Sequence, residues 1–162
     1  MLISQKMNDR LNDQINFEQY SSHTYLGMAA GFEKIGLKVF AAYFYKHADE
    51  ERGHAMKMFK YVVDTGGTVV MKAIDEPKGK WDSVEKIVQQ SLDHELKVTG
   101  RINDLVALAE QEKDYATRSF LQWYVDEQVE EVSTAEQLLT LVKMAGPSQV
   151  LYLEHRISQM MG

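Results

Sequence analysis

Between Gly66 and Trp81 the chain drops the helical period that governs nearly all the rest of it, and the length of that interruption constrains the topology. The segment Gly-Gly-Thr-Val-Val-Met-Lys-Ala-Ile-Asp-Glu-Pro-Lys-Gly-Lys-Trp contains three glycines and Pro77 and is expected to be extended. The apolar pattern before it predicts a helix over about 37–65, and roughly 29 helical residues span about 43 Å. Roughly 16 extended residues reach about 53 Å. The connection can therefore run the length of a helix and start the next one parallel to the last. Short loops would enforce an up-down-up-down bundle, whereas one long crossover defines a different one.

The remaining elements follow from spacing. A first helix is expected over about 4–34, with Leu11, Ile15, Tyr25, Ala29 and Phe32 recurring at helical intervals and Glu18 and Ser22 on the same stripe. Gly36 ends it. The second helix carries Phe40, Phe44, His47, Glu51, His54, Met58 and Tyr61. The third, about 82–111, opens on Asp82 or Ser83 as a cap, with Glu85 in its first turn, and carries Val84, Val88, Ser91, Glu95, Val98, Ile102 and Leu105. The fourth, about 114–145, carries Thr117, Leu121, Tyr124, Gln128, Glu131, Ala135, Leu138 and Val142. Gly146-Pro147 breaks the chain before a short fifth helix over about 148–160. Two prolines in 162 residues leave the long helices uninterrupted. The expectation is an all-α chain, one domain over 1–162: a four-helix bundle with a crossover at 66–81 and a short C-terminal helix.

Composition removes several function classes. With no cysteine there are no disulfides, thiolate metal sites or cysteine nucleophiles. A net charge of −6 without a Lys/Arg-rich block argues against nucleic acid as a partner. The first ten residues lack the apolar core of a secretory signal, and no apolar run approaches the roughly 18 to 20 residues of a membrane span. The chain reads as soluble and cytoplasmic, with no membrane partner.

Each of the four long stripes is apolar except near its middle. Glu18 interrupts the first, Glu51 and His54 the second, Glu95 the third, Gln128 and Glu131 the fourth. The midpoint of a helix stays at mid-bundle whichever way it points, so these residues are expected to converge on one layer. Glu51 and His54, three apart, aim a carboxylate and an imidazole at the same point. A lone Glu-x-x-His is more often a solvated pair, and a lone core Glu more often snorkels outwards. Four helices breaking pattern at the same height with metal-binding residue types is a different matter. Carboxylates facing one another in a dry core need compensating charge, and two divalent cations supply it. Oxygen ligands with one imidazole suit iron, manganese or zinc more than copper.

Other residues carry two readings each. Tyr25, two turns after Glu18, either bonds a ligand, donates an electron or packs in the core. Trp123 and Tyr124, one turn before Gln128, are expected in the core, with a redox role as the alternative, and His47 is expected as a satisfied core histidine. His23, His94 and His155 fall off the stripes and are expected at the surface. Glu50, Glu127 and Glu130 each precede a proposed ligand and share the adjoining face of helices two and four. They form either a solvated acidic face or a further cation site.

These residues resemble the ferritin family, specifically its haem-free bacterial and archaeal type, over essentially the whole chain. The motifs are Asn-Phe-Glu18-Gln-Tyr followed by Tyr25, His-Ala-Asp-Glu50-Glu51-Arg-Gly-His54-Ala, His-Glu95, and Phe-Leu-Gln-Trp-Tyr-Val-Asp-Glu127-Gln128-Val-Glu130-Glu131. The resemblance implies a shell of twenty-four subunits that oxidises ferrous iron with dioxygen or hydrogen peroxide and stores ferric mineral. It implies Glu18, Glu51, His54 and Glu95 as principal iron ligands, Glu51 bridging, with Gln128 and Glu131 completing the second iron's surroundings. It further implies a third iron position at Glu50, Glu127, Glu130 and Glu131. Haem-binding relatives carry a second Glu-x-x-His on the fourth helix and a methionine after the second-helix Glu. This chain has Gln128, Glu131 and Arg52 there, so no haem is expected. Gln128 leaves one iron with fewer anionic ligands, which suggests a weaker second position from which product leaves. Two other functions fit the bare pattern: a di-metal oxidase or peroxidase without storage, and a non-catalytic helical scaffold.

Overall fold

Polar side chains set where the long helices begin. In a computed structural model describing residues 1–162, α1 runs Gln5–Lys34 behind Ser4, whose hydroxyl oxygen accepts from the Met7 amide at 2.9 Å. Ser83, rather than Asp82, caps α3 (Val84–Glu112), accepting from Lys86, and Asp114 caps α4 (Tyr115–Ala145), accepting from Thr117. These caps satisfy amides that a helix start leaves without partners. The remaining long helix, α2 (Lys38–Asp64), has no side-chain cap of its own. Its cap comes from the far end of the chain: Glu154, in α5 (Leu153–Met160), accepts from the Val39 amide at 2.8 Å. That carboxylate also opposes the positive end of the α2 dipole, which ties the C-terminal helix to the bundle. The segment before α5 is a tighter 3-10 turn, Val150–Tyr152, so the last helix starts later than its sequence pattern suggests.

Side-chain rungs give the helix directions. Between α1 and α3, Ser4 meets Glu112, Gln14 meets Arg101 and Ser21 meets His94, an antiparallel pairing. Between α2 and α4, His47 faces Glu131, the His54 carbonyl faces Tyr124 and Tyr61 faces Thr117, antiparallel again. The crossover returns along α1, with Gly27 under Pro77 and Lys78 and Gly31 under the Trp81 ring. Consequently α3 starts at the end where α2 started and runs parallel to it.

An asparagine ladder fixes the first half of that return. Thr68 donates its amide to Asn8 Oδ1, Val70 to Asn12 Oδ1 and Lys72 to Asn16 Oδ1, at 3.0, 2.6 and 2.7 Å. Asn12 and Asn16 donate back to the carbonyls of Thr68 and Val70 at 2.8 Å each. Four helical residues advance about 6.0 Å and two extended residues about 6.6 Å. The two repeats therefore stay in step for three rungs, and the side chains supply the partners a neighbouring strand would. Room for this is tight at Gly67, where a Cβ would collide with Asn8 and lie 2.9 Å from Val62 Cγ1. Replacing buried Asn12 by Ala strips three hydrogen bonds at once. Urea unfolding is expected to report a loss of about 1 to 3 kcal/mol, against no more than about 0.5 for Asn103→Ala on an exposed face.

The apolar interior is in two pieces. One gathers Phe32, Phe40, Phe44, Val88, Leu138 and Ile157 at the α5 end. The other gathers Met7, Leu11, Met58, Ile102, Leu105 and Leu121 at the opposite end. No helix is long and apolar enough to cross a membrane.

Candidate metal centre

What separates the two apolar clusters is the polar layer. Glu18, Glu51 and Glu95 are each no more than 1% exposed, and His54, Gln128 and Glu131 are also buried. Every one of these side chains comes from the middle of a long helix, where the backbone is fully hydrogen-bonded and rigid. Ligand-capable atoms of Glu18, Glu51 and His54 lie within 4.8 Å of one another, as do those of His54, Glu127 and Glu131.

The hydrogen bonding is uneven, and the unevenness is informative. Glu95 is well supplied: Tyr25 donates its hydroxyl to Oε1, and Gln128 donates its amide to Oε2 at 3.1 Å. Gln128 also donates to Thr99 Oγ1 at 3.1 Å. Glu51 receives no hydrogen bond from any other donor group at either oxygen, and neither does Glu18 at Oε2; only a proton shared between these two carboxyls links them. His54 Nδ1 stands 3.4 Å from Glu51 Oε2, outside hydrogen-bonding geometry. Three buried carboxylate oxygens without donors, beside an imidazole, form a set that a cation satisfies and an apolar core does not.

Electrostatics agrees. Burial, with the nearby charge of Glu51, pushes the Glu18 carboxyl well above its ordinary range. Burial and Glu95 do the same to Glu51, and burial and Glu131 push Glu95 up to about 7. Burial also keeps Tyr25 protonated, so that it donates to Glu95. Glu131 differs. Burial pushes it up, but the His47 imidazole 3.4 Å from its Oε2 and the charges of His47 and His54 more than offset this and hold it low. Metal-free, the layer holds protons where a metal-loaded one would hold cations.

The second set divides. Glu50 lies 3.5 Å from His47 Nδ1, whose other neighbour is Glu131 Oε2 at 3.4 Å. Glu127 faces His54 Nε2 at 3.8 Å. Glu130 is exposed and belongs to neither close group. His47, expected only as a satisfied core histidine, thus links the central layer to the outer acids; its place one turn before Glu51 was the available signal.

Two expectations need correction. His94 is buried, not at the surface: its Nε2 meets Ser21 Oγ at 2.7 Å and its ring stacks on Phe17. It lies off the α3 stripe because it faces α1 at the side of the bundle, and burial lowers its pKa to about 4. Trp123 is 37% exposed, lying edge-on to His54 with the Lys57 ammonium 4.0 Å from its ring centre, so it covers the centre from outside the core. Tyr124 is buried as expected and donates to the His54 carbonyl at 2.7 Å. Sequence reasoning missed Gln14, which donates to Glu18 Oε1 at 2.7 Å; its position one helical turn before Glu18 was the signal.

A four-helix bundle with one long crossover and carboxylates with imidazole gathered at its middle is the architecture of the di-metal carboxylate proteins. Known proteins narrow the class. The ferritin-like domain matches residues 8–145. The chain is 39% identical to the bacterial non-heme ferritin of Staphylococcus aureus over 153 residues, covering 94% of this chain and 92% of that one. It is 37% identical to a probable bacterial non-heme ferritin-like protein of Haemophilus influenzae over 90% of its length and 88% of the relative's. Among solved structures it is similar to an open pore ferritin from Archaeoglobus fulgidus, with a TM-score of 0.94 and 45% identity, covering 96% and 97% of the two chains. The chain belongs to the ferritin family, among the bacterial and archaeal non-haem ferritins.

Proposed function

We propose that the protein stores and detoxifies iron, oxidising Fe(II) to Fe(III) at the mid-bundle layer of each subunit and depositing ferric mineral inside a hollow, self-assembled shell. The observation that carries this reading is Glu51: a carboxylate 1% exposed, unpartnered at both oxygens, beside Glu18 and His54. Family membership supplies iron as the cargo. The whole chain acts as one domain, in the cytoplasm, and assembles as twenty-four copies without haem.

In this reading Glu18 and His54 hold one ferrous ion, Glu95 with Glu131 and Gln128 holds the other, and Glu51 bridges them. Two ferrous ions give up two electrons, which with two protons reduce dioxygen to hydrogen peroxide. Where peroxide is the oxidant, the same two electrons and two protons yield two waters. Binding the ions displaces the protons that burial keeps on Glu18, Glu51 and Glu95. The freed carboxylates then favour the ferric product. Tyr25 holds Glu95 in place by its hydroxyl. Gln128, an amide where a carboxylate would bind more strongly, makes the second position the weaker one. Glu50 and Glu127, with Glu131, would form a third, more open position on the way to the shell interior, which exposed Glu130 would join only by turning inwards, and His47 connects it to the centre.

An aerobic Fe(II) titration of the metal-free protein, followed by ferric absorbance, tests the reading. Rapid oxidation with a break near about two ions per chain is expected, followed by continued uptake of far more iron in soluble form. Oxidation no faster than in buffer would leave only a helical scaffold. A break without further uptake would leave a di-metal oxidase that stores nothing.

A further inference from the structure

We propose that Gln14 and Arg101 are positioning residues that decide which oxygen of Glu18 is presented to a cation at the centre. The inference rests on the reading of that layer as a metal centre. Its basis is a directional chain of hydrogen bonds from the side of the bundle inwards. Arg101 Nε donates to Gln14 Oε1 at 2.7 Å, and Gln14 Nε2 donates to Glu18 Oε1 at 2.7 Å.

Direction is what gives the chain its meaning. A guanidinium only donates, so the Gln14 atom facing Arg101 is the carbonyl oxygen. The amide NH2 is thereby turned towards Glu18, whose Oε1 accepts. Glu18 Oε2 is left buried and without a donor, and Glu18 is one of the group formed with Glu51 and His54. Arg101 is itself held: Nη2 donates to the Asp13 carbonyl at 3.0 Å, and its guanidinium carbon lies 4.2 Å from the centre of the Phe17 ring. The fold supplies the register. Gln14 and Glu18 are one turn apart on α1, and the antiparallel α3 brings Arg101 alongside.

Packing alone gives no reason for this arrangement. Gln14 is 1% exposed, at a position where an apolar residue would extend the core at no cost in desolvated polar atoms. Partners of metal ligands that fix their orientation typically contribute ten- to a hundredfold in metal affinity. Simple Coulomb repulsion points the other way, because a cationic Arg101 near the centre disfavours a second cation. The two effects therefore give opposite signs when Arg101 is neutralised.

Co(II), whose visible bands report ligand geometry, is the probe. Metal-free wild type, Gln14→Leu, Arg101→Met and Arg101→Lys are titrated calorimetrically and spectroscopically, with circular dichroism and shell size as checks on folding. Gln14→Leu is expected to weaken the first ion by at least about tenfold and alter its bands. Arg101→Met should weaken it less, by releasing the Gln14 amide to turn over, and Arg101→Lys should restore both affinity and spectrum by keeping a donor. Unchanged binding by Gln14→Leu, or tighter binding by Arg101→Met, overturns the proposal. Should Gln14→Leu fail to fold, the half-buried Arg101→Met change decides it by sign. A wild type that takes up no Co(II) refutes the metal centre itself, and the positioning role with it.

Discussion

The Glu51→Ala, His54→Ala variant is expected to oxidise Fe(II) no faster than buffer, a loss of at least about a hundredfold in the rapid phase, since even the outer partners of metal ligands are worth up to that factor. Glu51 is central for a geometric reason. It lies with Glu18 and His54 on one side and feels the charges of Glu95 and Glu131 on the other. Removing it takes an oxygen ligand from both proposed positions together. His54 is the imidazole of the first group and also faces Glu127. The α2 backbone through this region is regular helix, and Tyr124 bonds the His54 carbonyl rather than its ring, so that bond survives the change. The variant should therefore still assemble, which gel filtration can check beside stopped-flow absorbance. Retention of the rapid phase would move the chemistry elsewhere in the chain.

The second large effect is a reversal in how stability responds to pH when metal is bound. Glu18, Glu51 and Glu95 all have folded values raised above the unfolded 4.5, Glu95 to about 7. In that window the folded state holds more protons than the unfolded state, so unfolding free energy falls as pH rises. The fall is about 1.4 kcal/mol per pH unit for each proton retained. His47 acts in the same direction, since its folded value is raised above 6.5 and its contribution is lost as pH passes through it. Glu131 and His94 are opposite. The Glu131 folded value is lowered, and what it contributes is lost only as pH falls below 4.5. His94, held down to about 4 by burial, contributes stability that grows as pH rises from about 4 to 6.5, and so offsets one of the three carboxyl protons. Metal-free protein should therefore melt at a lower temperature at about pH 7 than at about pH 5. With saturating Zn(II) the order should invert, because the cations displace those protons and bind more tightly as pH rises. Glu51→Gln with Glu95→Gln should flatten the metal-free slope. A metal-free melting temperature that climbs through this window would mean that the layer is ionised without cations.

Much of this was legible in the sequence because it depends on periodicity alone. Glu18, Glu51, Glu95 and Glu131 interrupt four apolar stripes at mid-length, and that fact places them at one height in any bundle. The length of 66–81 was equally readable as a crossover. Harder to see were features that depend on which helices are neighbours. His94 sits off its own stripe and is buried only because α1 lies beside it. Gln14 gains its meaning from Arg101, a residue of another helix. Asn8, Asn12 and Asn16 repeat every fourth residue, a visible pattern, but its partner is the backbone of Thr68–Lys72, which carries no side-chain signature. The cap on α2 comes from Glu154, beyond the reach of any local capping rule.

The division of the apolar interior into two clusters has a mechanical consequence. Each end of the bundle is held by its own packed apolar side chains, while the level between them is lined by buried carboxylates, three of whose oxygens lack a donor group. The four helices are thus clamped twice and bridged once. The stiffness of the bridge is set by what lies between the carboxylates: mobile protons when the centre is empty, fixed bonds when it is loaded. On the proposed reading, filling and emptying the centre would change the stiffness of each subunit more than its outline, and a shell of such subunits would turn over its cargo without rearranging its walls.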